Sequence, residues 1–376
     1  MEDQNKERLS PTKIFYHEER LKQFLETGDC VPIHMTVGLA GYCNHKCHWC
    51  TVDHILELRL EEKLKVQMDP KTIVKFLSEA HEEGLKAITH VGSGEPLLHP
   101  KAGEIIDEIG KIGLSQGIFT NGSRLLENAD SLLRNMDFVR LSLDTATSDR
   151  HQDLHGAPKG HFEKAIRGLE YLVKNRKGKF PILGAQIVTS QYNLDQTRDA
   201  VMLAKGIGLN YIAFKPMMKN YLNPTHDMNA LEMNDELVAH FKSLADLSSE
   251  DFRVYTKELQ FKELLGRYWN DGLDYNVCLA HRFTPYLDSD GTLQLCVGHA
   301  GEAEHVFGNI YEQSFKEIWK SDKRQKVIDA IDLHKCRSAC REDPLNKVLW
   351  GLTKDEAEKR ISAAGIPNPE INPNFV

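Results

Sequence analysis

The sequence predicts an α/β protein built on a parallel sheet, and three observations predict it. Six apolar, strand-like runs alternate with helical stretches through the first 216 residues. That alternation gives parallel strands joined by right-handed crossovers. Polar residues gather just after the runs, in GSGEP, TNG, SLDT, VTSQYN and FKPM, where parallel α/β folds place their sites. The cysteines stand apart at the two ends, with none in residues 51–277. Six such strands form either a doubly wound sheet or an incomplete barrel.

The elements follow in order. Residues 13–27 read as an amphipathic helix, with Ile14, Leu21 and Leu25 on one face. VPIHMTVGLA is the first strand. Residues 69–83 form a helix with Asp69 as N-cap and Pro70 at its first position. LKAITHVGS is the second strand and residues 99–112 the next helix. LSQGIFTNG runs into an Asn-Gly turn. DFVRLSLDT is the fourth strand, 161–176 a helix, FPILGAQIVTS the fifth strand, 195–207 a helix and LNYIAFKPM the sixth strand. NYLNPTHDMNA reads as a linker, followed by two helical stretches. RFTPYLDSDGTLQLCV reads as a hairpin turning at Asp290-Gly291, and GIPNPEINPNFV as an extended tail.

The composition excludes several classes. The chain has 376 residues and a net charge of −8, with no basic run of the kind that tracks a phosphate backbone, so nucleic acid is not an expected partner. The start is polar and lacks an apolar signal region. No apolar stretch is long enough to span a bilayer, and the expected location is the cytoplasm. Eight cysteines without a signal argue against a disulfide framework. They fall into the single Cys30, the trio Cys43, Cys47 and Cys50, and the quartet Cys278, Cys296, Cys336 and Cys340. Cys30 reads as a buried bystander.

The trio lies in GYCNHKCHWC, spaced C-x3-C-x2-C. Three thiolates this close can ligate three irons of a [4Fe–4S] cube and leave the fourth open. A zinc site completed by His45 or His48 is the competing reading. With an aromatic, Trp49, just before the third cysteine, the motif resembles that of the radical S-adenosylmethionine (SAM) superfamily. The resemblance implies that SAM chelates the open iron and is cleaved to a 5′-deoxyadenosyl radical that takes a substrate hydrogen. It also implies a partial (β/α)6 TIM-like barrel over residues 31–225. Gly92-Ser93-Gly94-Glu95-Pro96 resembles the family's GGEP motif with Ser93 in place of a glycine. The resemblance makes Glu95 and nearby backbone acceptors for the SAM ammonium. Asn121, Ser142 and Thr189 become SAM contacts at later strand ends, and Trp49 a neighbour of the adenine.

The quartet, followed by GNIYEQSFKEIW, permits a zinc ribbon and resembles the SPASM/twitch extensions of radical SAM enzymes more closely. The resemblance implies a small α+β domain over 278–345 holding one auxiliary [4Fe–4S] cluster, fully ligated and suited to accept an electron. Residues 1–30 are then a helical extension, 226–277 a helical linker and 346–376 a helix with an extended tail. A base or polariser is needed near the substrate, and Lys215, Asp144 and Arg282 are the expected ones. The short stretch before Cys43 leaves no room for a leader-binding domain, which points to a small polar, carbohydrate-like or aminocyclitol substrate undergoing oxidation or epimerisation. A flavodoxin- or ferredoxin-type protein is the expected electron donor. A peptide maturase and a non-enzymatic metal-binding protein are the competing readings.

Overall fold

The structure is a computed structural model describing residues 10–217, 234–256, 261, 273–336, 340–354 and 372–376. Its centre is a run of parallel strands in chain order: β1 (His34–Val37), β2 (Ala87–His90), β3 (Ser115–Thr120), β4 (Met136–Ser142), β5 (Ile182–Thr189), β6 (Tyr211–Pro216) and β7 (Arg253–Thr256). Sequence reading finds six of these. It misses β7, which is four residues long and places a strand where the helical linker 226–277 was expected. That region also contains the helix Asp235–Ala245, while NYLNPTHDMNA falls outside the described residues.

The hairpin forms as expected, but it does not stand apart. Strand β8 (Tyr286–Leu287) pairs in parallel with the free edge of β1, and β9 (Thr292–Gln294) and β10 (Val306–Asn309) follow antiparallel. One ten-stranded sheet therefore joins the partial barrel to the region carrying the quartet.

Helices cover the outer face. Pro70–Glu83 starts where expected, because the Asp69 carboxylate accepts the Thr72 N–H at 2.8 Å. Its Ile73, Phe76 and Leu77 pack with Ile105 and Ile109 of Ala102–Ile112 against Met35, Val37 and Ile88. His161–Asn175 and Thr197–Ile207 bury Leu169, Leu172, Ala200 and Val201 against Val139, Leu141 and Leu183. The first predicted helix is broken at His17 into a 3-10 turn and Glu18–Thr27, and Phe24 rather than Leu25 completes its buried face.

Alternation along the strands sends the intervening residues into the barrel. Glycines at two of these inward positions make room for aromatic rings. A Cβ at Gly117 would stand 2.1 Å from the Phe138 ring, and one at Gly184 2.2 Å from Tyr211. Asn372–Val376 lie against the starts of the strands at the barrel base. Asn372 Nδ2 donates to Asp137 Oδ1 (2.8 Å) and Ser115 Oγ (2.9 Å), and the Phe375 ring lies 5.0 Å from that of Phe138.

Candidate functional site

Cys43, Cys47 and Cys50 occupy the loop between β1 and the helix Asp53–Glu61, at the C-terminal end of the strands. The three thiols influence one another electrostatically, and burial pushes that of Cys43 up to about 12 and that of Cys47 far above its ordinary value. Cys43 Sγ receives the His45 N–H at 3.4 Å, and Asn121 Nδ2 lies 3.8 Å away. Converging soft thiols with N–H donors aimed at sulfur fit an iron–sulfur cluster. His45 is buried in a histidine group, its Nε2 3.0 Å from His161 Nδ1, and it, Cys47 and His155 each bring one ligand atom within 4.8 Å of the others, while His48 is exposed.

Cys47 has a supporting chain that sequence reading missed. His155 Nδ1 lies 3.5 Å from Cys47 Sγ, and its Nε2 lies 3.0 Å from Asp144 Oδ2. Asp144 holds a left-handed backbone (φ 57°), and its Oδ1 accepts the Val188 N–H at 2.5 Å. Asp144, expected as a base, thus has Oδ1 bonded to the Val188 amide and Oδ2 beside the His155 ring. No sequence signal ties His155, at the end of the helix Ser148–His155, to the trio.

The GSGEP loop serves as an anchor. Glu95 is buried, which raises its carboxyl pKa against the hydrogen bonds it accepts. Those come from Thr120 Oγ1 (2.7 Å), Leu97 N (3.1 Å) and Asn121 N (2.7 Å). A Cβ at Gly94 would stand 2.2 Å from the Ala40 carbonyl oxygen, so glycine is required for the loop to seat against the cysteine loop. A Cβ at Gly92 would stand 2.9 Å from the Gly38 Cα. The Ser93 hydroxyl, expected at the cofactor, is instead committed to Arg59 Nη1 (2.7 Å) and Asp288 Oδ1 (2.5 Å). Trp49 packs with Leu154 and Met217. Ser142 ends β4 half-buried. Thr189 ends β5 with a buried hydroxyl for which no hydrogen-bond partner is described.

A cavity of about 410 Å³ fills the barrel. Its lining runs from Thr51, beside Cys50, past Gly92 and Lys215 to Cys296, Cys336 and Cys340. Desolvation lowers the Lys215 ammonium to about 8, although the Asp144 carboxylate opposes the shift. Arg282 lies elsewhere. It donates to the Cys278 carbonyl at 3.1 Å and faces Asp29 at 3.9 Å, which corrects its assignment as a substrate-side group. Arg140, Gln186 and Tyr211 line the cavity and were missed. The alternation of DFVRLS, with Phe138, Arg140 and Ser142 on one face, was the available signal.

The four remaining site cysteines also converge. Cys336 is influenced by Cys278 and Cys296, and Cys340 by Cys296 and Cys336, with burial raising every one of these thiols. Glu342 N–H points to Cys340 Sγ (3.4 Å), Asn346 Nδ2 to Cys278 Sγ (3.6 Å), and His299 Nε2 lies 3.6 Å from Cys336 Sγ. This donor set fits a fully ligated cluster. Cys30 is buried apart from it, 3.8 Å from the Arg282 carbonyl.

Residues 37–212 match the radical SAM superfamily, and residues 278–342 match SPASM, an iron–sulfur cluster-binding domain. The chain is 27% identical over 262 residues to the AdoMet-dependent heme synthase of Methanosarcina barkeri, covering 65% of this chain and 71% of that one. It is 24% identical over 316 residues to the mycofactocin maturase MftC of Mycobacterium tuberculosis, covering 80% and 74%. Among solved structures it resembles SuiB of Streptococcus suis bound to precursor peptide SuiA, with a TM-score of 0.63 at 14% identity, over 84% of this chain and 70% of that one.

Proposed function

The chain belongs to the radical SAM superfamily and carries a SPASM iron–sulfur domain, and from that premise we propose that it is a maturase that modifies a peptide by taking a hydrogen atom from a residue held in the barrel. When bound, the cluster on Cys43, Cys47 and Cys50 together with SAM supplies a carbon-centred radical, and the cluster on the quartet supplies an electron acceptor. One observation carries the reading: a single cavity borders both cysteine sites, reaching Thr51 beside the trio and Cys296, Cys336 and Cys340 of the quartet. A group seated there lies within reach of both.

A relative named as a maturase supports a peptide better than the carbohydrate-like molecule expected from sequence. Asn372, Phe375 and Val376 line the cavity at the start of the strands, which in this reading favours entry of a side chain or a chain end over a threaded peptide. The same lining favours, as the second reading, a small polar molecule. Reduction by a flavodoxin- or ferredoxin-type protein completes the proposal. The test is anaerobic reconstitution to about eight irons per chain, reduction, and incubation with SAM and deuterated peptides encoded beside this gene. Deuterium should appear in 5′-deoxyadenosine. Absence of SAM cleavage would sink the enzyme reading, and cleavage without transfer from any peptide would sink the maturase reading.

Two residues have measurable parts. In this reading Lys215 is the base that takes a substrate proton. A base must be neutral, and the ammonium is held near 8. Turnover should therefore rise with pH through an apparent pKa of about 8. Lys215→Met should lose roughly 100-fold or more and flatten that limb. An unchanged pH profile in the variant removes Lys215 from the role. The Thr189 hydroxyl would donate to SAM, so Thr189→Val should weaken SAM binding roughly 2- to 10-fold in a calorimetric titration. Unaltered affinity would place the hydroxyl outside the cofactor site.

A further inference from the structure

We propose that the barrel cavity is a carboxylate-binding pocket in which Arg140 fixes an anionic group of the substrate below the reacting carbon. This rests on the reading of the barrel interior as the substrate cavity.

Arg140 projects inward from the middle of β4 and is half-buried. Its Nε donates to the Tyr211 hydroxyl at 2.7 Å, and Nη1 reaches Gln186 Oε1 at 3.5 Å. The guanidinium lies 4.5 Å from the Phe119 ring centroid, 5.4 Å from that of Tyr211 and 5.8 Å from that of Phe138. These neighbours are neutral. Among the described residues no carboxylate pairs with Arg140, and Nη2 has no described partner. The side-chain acids that line or border this part of the cavity have other partners. Asp137 accepts from Gln116 N and Asn372, Asp144 from Val188 N, and Glu342 pairs with Arg341 at 2.7 Å.

Among the described residues this permanent cation, held among three aromatic rings, has no counter-ion, and it lines the cavity where an anion can reach it. Here the stem is already immobilised by three rings and two polar contacts, so little side-chain freedom is lost when an anion arrives. The open edge of the fork suits a carboxylate.

Strand register gives the pocket a vertical order. Arg140 sits opposite Gly184, and Lys215 opposite Val188. The two backbone positions are thus about four residues apart along the sheet, roughly 13 Å. A substrate with its carboxylate on Arg140 places its other end at the level of Lys215 and the strand ends, where the cysteine trio lies. Phe375 forms the floor beneath.

The test compares acids with their amides on the reconstituted full-length protein by calorimetry. The probes are 3-phenylpropionate against 3-phenylpropionamide, and Ala-Ala-Phe with a free against an amidated C-terminus. For at least one pair the acid should bind about tenfold or more tighter than the amide in the wild type. Arg140→Gln should bring that ratio to about one, and Arg140→Lys should leave an intermediate ratio because the charge stays and the fork is lost. Because the acid-to-amide ratio is read within one protein sample, partial misfolding lowers both affinities and does not imitate the result. Equal binding of acid and amide in the wild type, binding by neither pair, or a preference that survives Arg140→Gln overturns the proposal. Preference confined to 3-phenylpropionate upholds Arg140 and counts against the peptide reading, whereas preference for the free tripeptide upholds both.

Discussion

Replacing Cys47 with alanine is expected to reduce SAM cleavage to background and to cut reconstituted iron from about eight to about four atoms per chain. Three thiolates are the minimum that leaves one iron open, so two cannot hold the cluster in place. Cys47 is also the thiol with the most built around it. His155 stands 3.5 Å away, Asp144 orients that ring, and the Asp144 backbone is held in a left-handed conformation to do so. The quartet lies in another part of the sheet and should keep its four irons, which makes the loss specific rather than a general failure to fold. Cys296→Ala gives the reverse pattern. It should retain SAM cleavage in the absence of substrate and lose product formation. Iron analysis and 5′-deoxyadenosine quantification on the two variants read both effects. SAM cleavage retained by Cys47→Ala would remove the trio from the chemistry.

The parts of the site legible in the sequence are those carried by short local patterns. The cysteine trio and the GSGEP glycines come together in the fold, because each depends largely on its own neighbours in the chain. The strands were legible for the same reason: a run such as FPILGAQIV is mostly apolar and bounded by polar or turn residues. What was not legible depends on distance. Ser93 looks like a glycine substitute at a cofactor loop, yet its hydroxyl is directed by Asp288, which is 195 positions away. Asp144 looks like a free acid after a strand, but an amide on β5 and a histidine from a helix occupy it. Arg282 follows a cluster cysteine but turns toward Asp29. In each case local chemistry was read correctly and the partner that assigns its use was remote. Strand β7 escaped for a different reason: only Val254 of its four residues is buried, so it lacks the apolar run that marks the equally short β1 and β2.

The largest structural effect is expected from Asp288→Ala. Arg59, Ser93, Tyr286, Asp288 and Ser289 form a network with almost no exposure, drawn from the helix after the trio, the GSGEP loop and the hairpin. Asp288 is its hub. One oxygen lies 3.2 Å from Arg59 Nη2, and the other accepts from Ser93 Oγ (2.5 Å), Tyr286 OH (2.9 Å) and Ser289 N (2.6 Å). Removing it leaves a buried guanidinium uncompensated, which typically costs about 3–5 kcal/mol. Asp290, 3.7 Å from Arg59 Nη2 and 41% exposed, supplies only a screened replacement, so the effect should fall toward the lower end of that range. The paired change Arg59→Met with Asp288→Leu removes both charges and should recover much of the loss, although Ser93 and Tyr286 then lack their acceptor. The two single variants and the double variant, compared in denaturant melts, therefore give strongly non-additive losses. Additive losses would mean that the network is not a unit. Because the same hairpin sets β8 against β1 and leads directly to Cys296, loosening it should also lower iron retention at the quartet before it affects the trio.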